Sequence, residues 1–255
     1  MSPNLSERAQ SITVWWGLAF MYIFGFTLYW LLHMMPPPTA MLTEAEVGAF
    51  YLTHAFDIKL GAMVSSWVSA FMVPFSVVAA IQLARLEKQD NPTGVPAWSI
   101  LAFAGGILMS MFLVFPPIVW GVAAFTAERS PGLTTILHEL GMLTLTTTDQ
   151  FYIFQMIPIA IVSLTRKHDE FSAFPRWLGY FTLWAALAFE VGALAFMFKD
   201  GPFSWNGVLV FWMPLVVFGS WVTVTSLVML RALGRQSLEK RILQGSSVNA
   251  ADVRV

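Results

Sequence analysis

Six apolar runs are spaced along the chain, at about 12–32, 60–84, 98–125, 134–164, 177–198 and 207–230. Each is long enough to cross roughly 30 Å of hydrocarbon as a helix rising about 1.5 Å per residue. The fourth is the longest and has to tilt, protrude or bend, with Pro158 as the natural place. Proline also falls inside the second run (Pro74), the third (Pro116, Pro117) and the sixth (Pro214). Each removes a backbone donor and bends its helix unless neighbours compensate. No soluble domain fits between the runs, and no internal repeat is evident. The pattern predicts an all-α membrane protein, a six-transmembrane-helix bundle over residues 1–232. A polar cytoplasmic tail, 233–255, is expected to form a short helix followed by disorder. The first run is full length and ends in "HMMPPP", so it reads as a retained helix and not a cleaved signal.

Composition supports a bilayer as solvent. The 255 residues are 57% hydrophobic and 11% charged, with 22 Phe and 11 Trp. That leaves too little polar surface to cover a soluble fold. The formal net charge is −1 and the basic residues form no long block, which argues against nucleic acid as a partner. The absence of cysteine excludes disulfides, thiolate zinc sites, iron–sulfur clusters and cysteine nucleophiles.

Charge distribution orients the chain. With the N-terminus inside, Arg8, Arg85, Lys88, Arg166, Lys167, Arg176, Arg231, Arg235, Lys240, Arg241 and Arg254 are internal. Only Lys59, Arg129 and Lys199 are external. Both termini are therefore expected to be cytoplasmic. The longest outer loop, roughly 33–59, carries a helix-start signal, with Thr43 as N-cap and Glu46 as its capping-box partner. Val47, Phe50, Tyr51 and Leu52 would then lie on the membrane surface.

Within the fourth run, "HELGMLTLTTTDQFYIFQ" at 138–155 carries three ionisable groups, His138, Glu139 and Asp149. On an unbroken helix His138 and Asp149 share a face about 16 Å apart, with Glu139, Thr146 and Gln150 on an adjacent stripe. The fifth run places Glu190 beside a small-residue stripe of Ala185, Ala188, Gly192 and Ala195, which allows close helix approach. A mid-membrane acid costs a few kcal/mol unless it is paired, hydrated or protonated. Asp149 and Glu190 are therefore expected to share an interior site, built with His138, Glu139, Gln150 and Thr146. The competing reading makes these groups interhelical hydrogen-bond glue.

A second constellation, His33, His54, Asp57 and His138, lies at the expected outer rim. Its spacing matches no recognised metal motif, and isolated interfacial histidines are the preferred reading. No cofactor is expected. Phosphate loops, G-x-S-x-G, histidine boxes and a mid-span lysine are all missing from the sequence.

Entry and exit motifs complete the picture. In "FPRWLGYF", Pro175 suits a first turn and Trp177 and Tyr180 an aromatic belt. In "FKDGPFSWNG", Asp200, Gly201 and Pro202 force a reversal, Trp205 anchors it, and Asn206 is expected to cap the sixth span. "PFSVVAAIQLARLE" (74–87), "FPRWLGYFTLW" (174–184) and "FKDGPFSWNG" (198–207) resemble an uncharacterised family of bacterial multi-pass integral membrane proteins of actinobacteria and proteobacteria. The resemblance covers most of the span region. It implies a multi-pass protein of the bacterial cytoplasmic (inner) membrane and carries no activity with it.

Three functions stay open at this point. The bundle binds or translocates a small or lipophilic molecule, with proton coupling through its acids. Alternatively it is a membrane-embedded enzyme using the same carboxyls on a lipid, isoprenoid or steroid-like substrate. The third option is an accessory subunit, as a homo-oligomer or beside a membrane partner.

Overall fold

A computed structural model describes residues 5–90, 92–166 and 172–252; Lys167, Arg254 and the last residues of the expected tail lie outside them. The described residues are helical and contain no strand. Nine α-helices follow one another: α1 Glu7–Trp30, α2 Glu44–Thr53, α3 Ala55–Val68, α4 Met72–Asp90, α5 Ala97–Thr126, α6 Pro131–Thr147, α7 Ile153–Thr165, α8 Arg176–Phe189 and α9 Met213–Asp252. Short 3-10 segments cover Asp149–Tyr152 and Gly192–Phe196, and a π-helical turn covers Val208–Trp212.

Among the described residues, five stretches are long and apolar enough to cross a membrane: Glu7–Trp30, Ala55–Gln89, Ala97–Thr126, Arg176–Phe196 and Val208–Lys240. The run expected at 134–164 is not among them, because α6 and α7 part between Thr148 and Tyr152. The outside of the bundle is apolar. On α5, Ile100, Phe103, Ile107, Met111, Ile118, Val122 and Phe125 are exposed, while Ala102, Met109, Leu113, Trp120 and Ala123 are buried. Both faces being apolar is what a helix needs when one side meets protein and the other meets lipid.

Polar side chains tie the two ends. At one end Gln82 Nε2 donates to Gln10 Oε1 at 2.8 Å, and Gln236 Nε2 donates to Gln82 Oε1 at 3.0 Å, joining α1, α4 and α9. The buried Glu87 carboxylate accepts the backbone N–H groups of Trp98 (3.1 Å) and Ser99 (2.8 Å), satisfying orphan donors of α5. At the other end Trp205 Nε1 donates to the Pro38 carbonyl at 2.7 Å, and Tyr51 pairs with His138.

Several details depart from the sequence expectations. The capping box forms, with Glu46 Oε2 accepting from Thr43 N at 2.8 Å, but α2 does not lie free on a surface. Val47 and Tyr51 are buried, Phe50 is half-buried and Leu52 is exposed, and α2 packs on α6. Asn206 caps nothing: it accepts from Ser204 Oγ at 2.7 Å, and Gly207 precedes the π-turn without a side-chain cap. The tail, expected as a short helix followed by disorder, prolongs α9 as helix to Asp252. Its Ala, Leu, Arg, Gln, Glu and Lys content favours helix, and Lys240 reaches Glu7 of α1.

Two prolines lie just past helix interruptions. Pro74 cannot donate to its i−4 carbonyl, Ala70, which lies in the turn at residues 69–71 between α3 and α4 and accepts from Val73 N at 3.0 Å instead. Pro214 likewise opens α9 after the π-turn. Pro158 lies inside α7. It frees the Phe154 carbonyl, and Gly105 of α5 comes so close that a Cβ there would sit 2.8 Å from that oxygen.

Candidate functional site

Three consecutive threonines end α6. Thr146 Oγ1 donates back to the Met142 carbonyl at 3.0 Å, Thr147 to Leu143 at 2.6 Å, and Thr148 to Thr144 at 2.7 Å. Such back-bonding competes with the helical ladder and bends it. Thr148 leaves helical geometry (φ −109°, ψ 7°), and Asp149–Tyr152 continue as one tight 3-10 turn.

A second break faces the first. α8 stops at Phe189, and Gly192–Phe196 run on as 3-10 helix. Gly192 is required there, since a Cβ would overlap the Thr146 carbonyl oxygen and the Asp149 carboxylate. Ala185, Ala188 and Ala195 are buried with it, as the small-residue stripe predicts. Gln150 bridges the two breaks. With its amide oriented to suit both neighbours, its nitrogen donates to the Thr147 carbonyl and its oxygen accepts from Ala193 N at 2.7 Å. Backbone groups released by both interruptions are thereby satisfied.

Above this junction lies a cavity of about 190 Å³. Its walls come from α1 (Met21, Phe24, Leu28), from α5 (Phe112, Leu113), and from the π-turn and α9 (Phe211, Leu215, Phe218). Asp149, Tyr152 and Thr146 supply its polar lining together with Tyr22. Asp149 Oδ1 and Tyr152 Oη are buried and have no hydrogen-bond partner. The Tyr152 ring is fixed by stacking on Phe189 at 4.8 Å and by edge contacts with Phe218 and Phe112 at 5.0 and 6.0 Å. The mouth lies between α1 and α9, at exposed Tyr22 and half-buried Gly25 and Gly219; a Cβ at either glycine would meet open space. Tyr22 Oη and Thr223 Oγ1, 3.0 Å apart, link α1 to α9 beside this opening.

The structure divides the residues singled out from sequence. Asp149 and Thr146 line the cavity, and Gln150 shapes its floor. Glu190 caps the end of α8 and is exposed; it is not among the residues that line the cavity. The break at Thr148 also dissolves the single face expected for His138 and Asp149. His138 sits midway along α6, with Nδ1 3.1 Å from Tyr51 Oη and its ring 5.9 Å from Trp205. Burial holds the Tyr51 phenol above its usual range, keeping its proton for this bond. Glu139 is half-buried beside it. Of the rim candidates, His33, His54 and Asp57 converge, and His138 stands apart from them.

Sequence reasoning missed Tyr152 and the two mouth glycines. Tyr152 lies three residues after Asp149, a signal that was present. The glycines matter through the side chains they lack, which no pattern announces. No family model matches the chain, and neither the curated proteins nor the solved structures yield a match. The fold class and the site geometry therefore carry the functional argument: an all-helical protein with membrane-length apolar helices and one polar-floored cavity.

Proposed function

We propose that this chain is an integral membrane protein that binds a lipophilic molecule bearing one hydrogen-bonding head group. The apolar body rests against α1 and α9, and the head meets Asp149 and Tyr152. One observation carries this reading: Asp149 and Tyr152, each with a buried polar atom that has no partner, are among the few polar residues lining a cavity that is otherwise almost wholly apolar. Buried polar atoms are nearly always paired, and those left open call for an unseen partner. A dry cavity of about 150 Å³ takes up a single aromatic ring. One of about 190 Å³ therefore suits a ring-sized group, or the end of a longer chain emerging between α1 and α9.

In this reading α6 and α7 together form a sixth, interrupted crossing. Its support is that α5, itself 30 residues long, packs against both. Irregular backbone at membrane depth is tolerated where protein buries it or a cavity lies beside it. The lysine and arginine bias favours cytoplasmic termini, and the resembling motifs favour a bacterial inner membrane.

The test uses purified protein in nanodiscs and straight-chain compounds of equal length ending in an amine, a hydroxyl or a methyl group. The amine and hydroxyl compounds bind more tightly than the methyl compound to the wild type, and Asp149→Asn narrows the difference. Equal affinity for all three ends would refute the proposal.

A further inference from the structure

At the end of the bundle that joins α1 to α3, three side chains of metal-ligating type converge away from the cavity. His33 follows α1, His54 joins α2 to α3, and Asp57 lies in the first turn of α3. One donor atom from each lies within 4.8 Å of the other two. His33 Nε2 is 3.2 Å from Asp57 Oδ2, and the two imidazole centroids are 4.1 Å apart. We propose that His33, His54 and Asp57 form a three-ligand site for a divalent transition metal of the zinc class, with at least one position left for water.

The donor set points to that class. Magnesium and calcium take oxygen ligands, whereas two imidazoles and one carboxylate suit zinc and its first-row neighbours. Zinc holds such ligands at about 2.0–2.2 Å, so neighbouring ligand atoms in a tetrahedron stand roughly 3.3–3.5 Å apart. The His33–Asp57 separation of 3.2 Å is already close to that spacing. His54 has to approach by about 1.5 Å at most, which a ring rotation supplies. All three residues are half-buried, so an ion reaches them from solvent while the side chains stay held.

The backbone at His33 bears on the test. Its φ is +55°, in the left-handed region that glycine adopts without penalty, two residues past the C-cap Leu31 of α1. The chain thus keeps an imidazole where a glycine would suit the backbone better. His33→Gly removes a ligand and relieves that strain, which offsets the lost contacts with Asp57 and His54, and the melting temperature without metal separates loss of binding from loss of fold.

Full-length protein, stripped with chelator in detergent, is titrated with Zn²⁺ by calorimetry and with Co²⁺ by visible absorption. The wild type takes up one equivalent per chain. His33→Gly and Asp57→Asn each weaken binding at least about tenfold, and His33→Gly melts no lower than wild type in the absence of metal. No uptake by the wild type, or uptake unchanged in both variants, would overturn the proposal.

Discussion

Replacing Tyr152 by Phe separates the proposed role of its hydroxyl from an ordinary structural one. The ring is held by Phe189, Phe218 and Phe112, contacts that phenylalanine keeps. Only a buried oxygen without a partner is lost. Leaving such a group unsatisfied costs about 1–3 kcal/mol, so its removal stabilises the ligand-free protein by that amount. At about 2–4 °C per kcal/mol for a chain of this size, the melting temperature rises by roughly 2–12 °C. Binding moves the other way. A lost hydrogen bond of about 0.5–1.5 kcal/mol weakens the hydroxyl-ended compound roughly 2- to 13-fold. The methyl-ended compound, which makes no such bond, is unaffected. Differential scanning fluorimetry in detergent and titration in nanodiscs read the two effects. A lower melting temperature would show that the hydroxyl is bonded within the protein, and unchanged binding of the hydroxyl compound would remove it from the site.

Other consequences are independent of that one. Gly192→Ala forces a Cβ into the Thr146 carbonyl and the Asp149 carboxylate, and an overpacking cost of about 1–3 kcal/mol lowers the melting temperature; an unchanged value would mean that the two helix breaks do not meet so closely. Gln82→Leu leaves Gln10 and Gln236 without their shared partner between α1, α4 and α9, a loss of about 1–3 kcal/mol checked by thermal unfolding. The capping box gives α2 a pH dependence. Backbone and side-chain hydrogen bonds from Thr43 hold the exposed Glu46 carboxyl below its usual range, so its contribution is present above the ordinary glutamate range and lost as pH falls through the lowered value. Hydrogen exchange corrected for intrinsic rate shows weaker protection of the first turn of α2 at acid pH, and Thr43→Ala removes that dependence.

What could be read in advance was what local chemistry or composition decides. The Thr43–Glu46 box sits within four residues and needs no tertiary partner. The small-residue stripe at Ala185, Ala188, Gly192 and Ala195 announced a close approach, though not that the Asp149 turn would fill it. The break at Thr148 was hidden because hydropathy continues across it. Three consecutive threonines bond back to their own helix where α6 ends, while Pro116 and Pro117 stay inside α5 and Pro158 inside α7. Once α6 stops, helical spacing no longer relates His138 to Asp149. Glu190 escapes the shared site for a similar reason, since α8 ends at Phe189 and leaves the next side chain outward. The rim residues were legible as types. Which of them meet was settled by loop closure, which brought His33 to His54 and Asp57 while Tyr51 and Trp205 took His138.

The central claim is that a lipophilic molecule occupies the cavity between α1 and α9. Native mass spectrometry of protein extracted from membranes tests it most directly, comparing the wild type with Gly219→Leu, whose added side chain enters open space at the mouth. A wild-type adduct of one small molecule per chain, lost in a variant that melts like the wild type, is the predicted result. No adduct on the wild type, or the same adduct at the same occupancy on the plugged variant, would contradict the account.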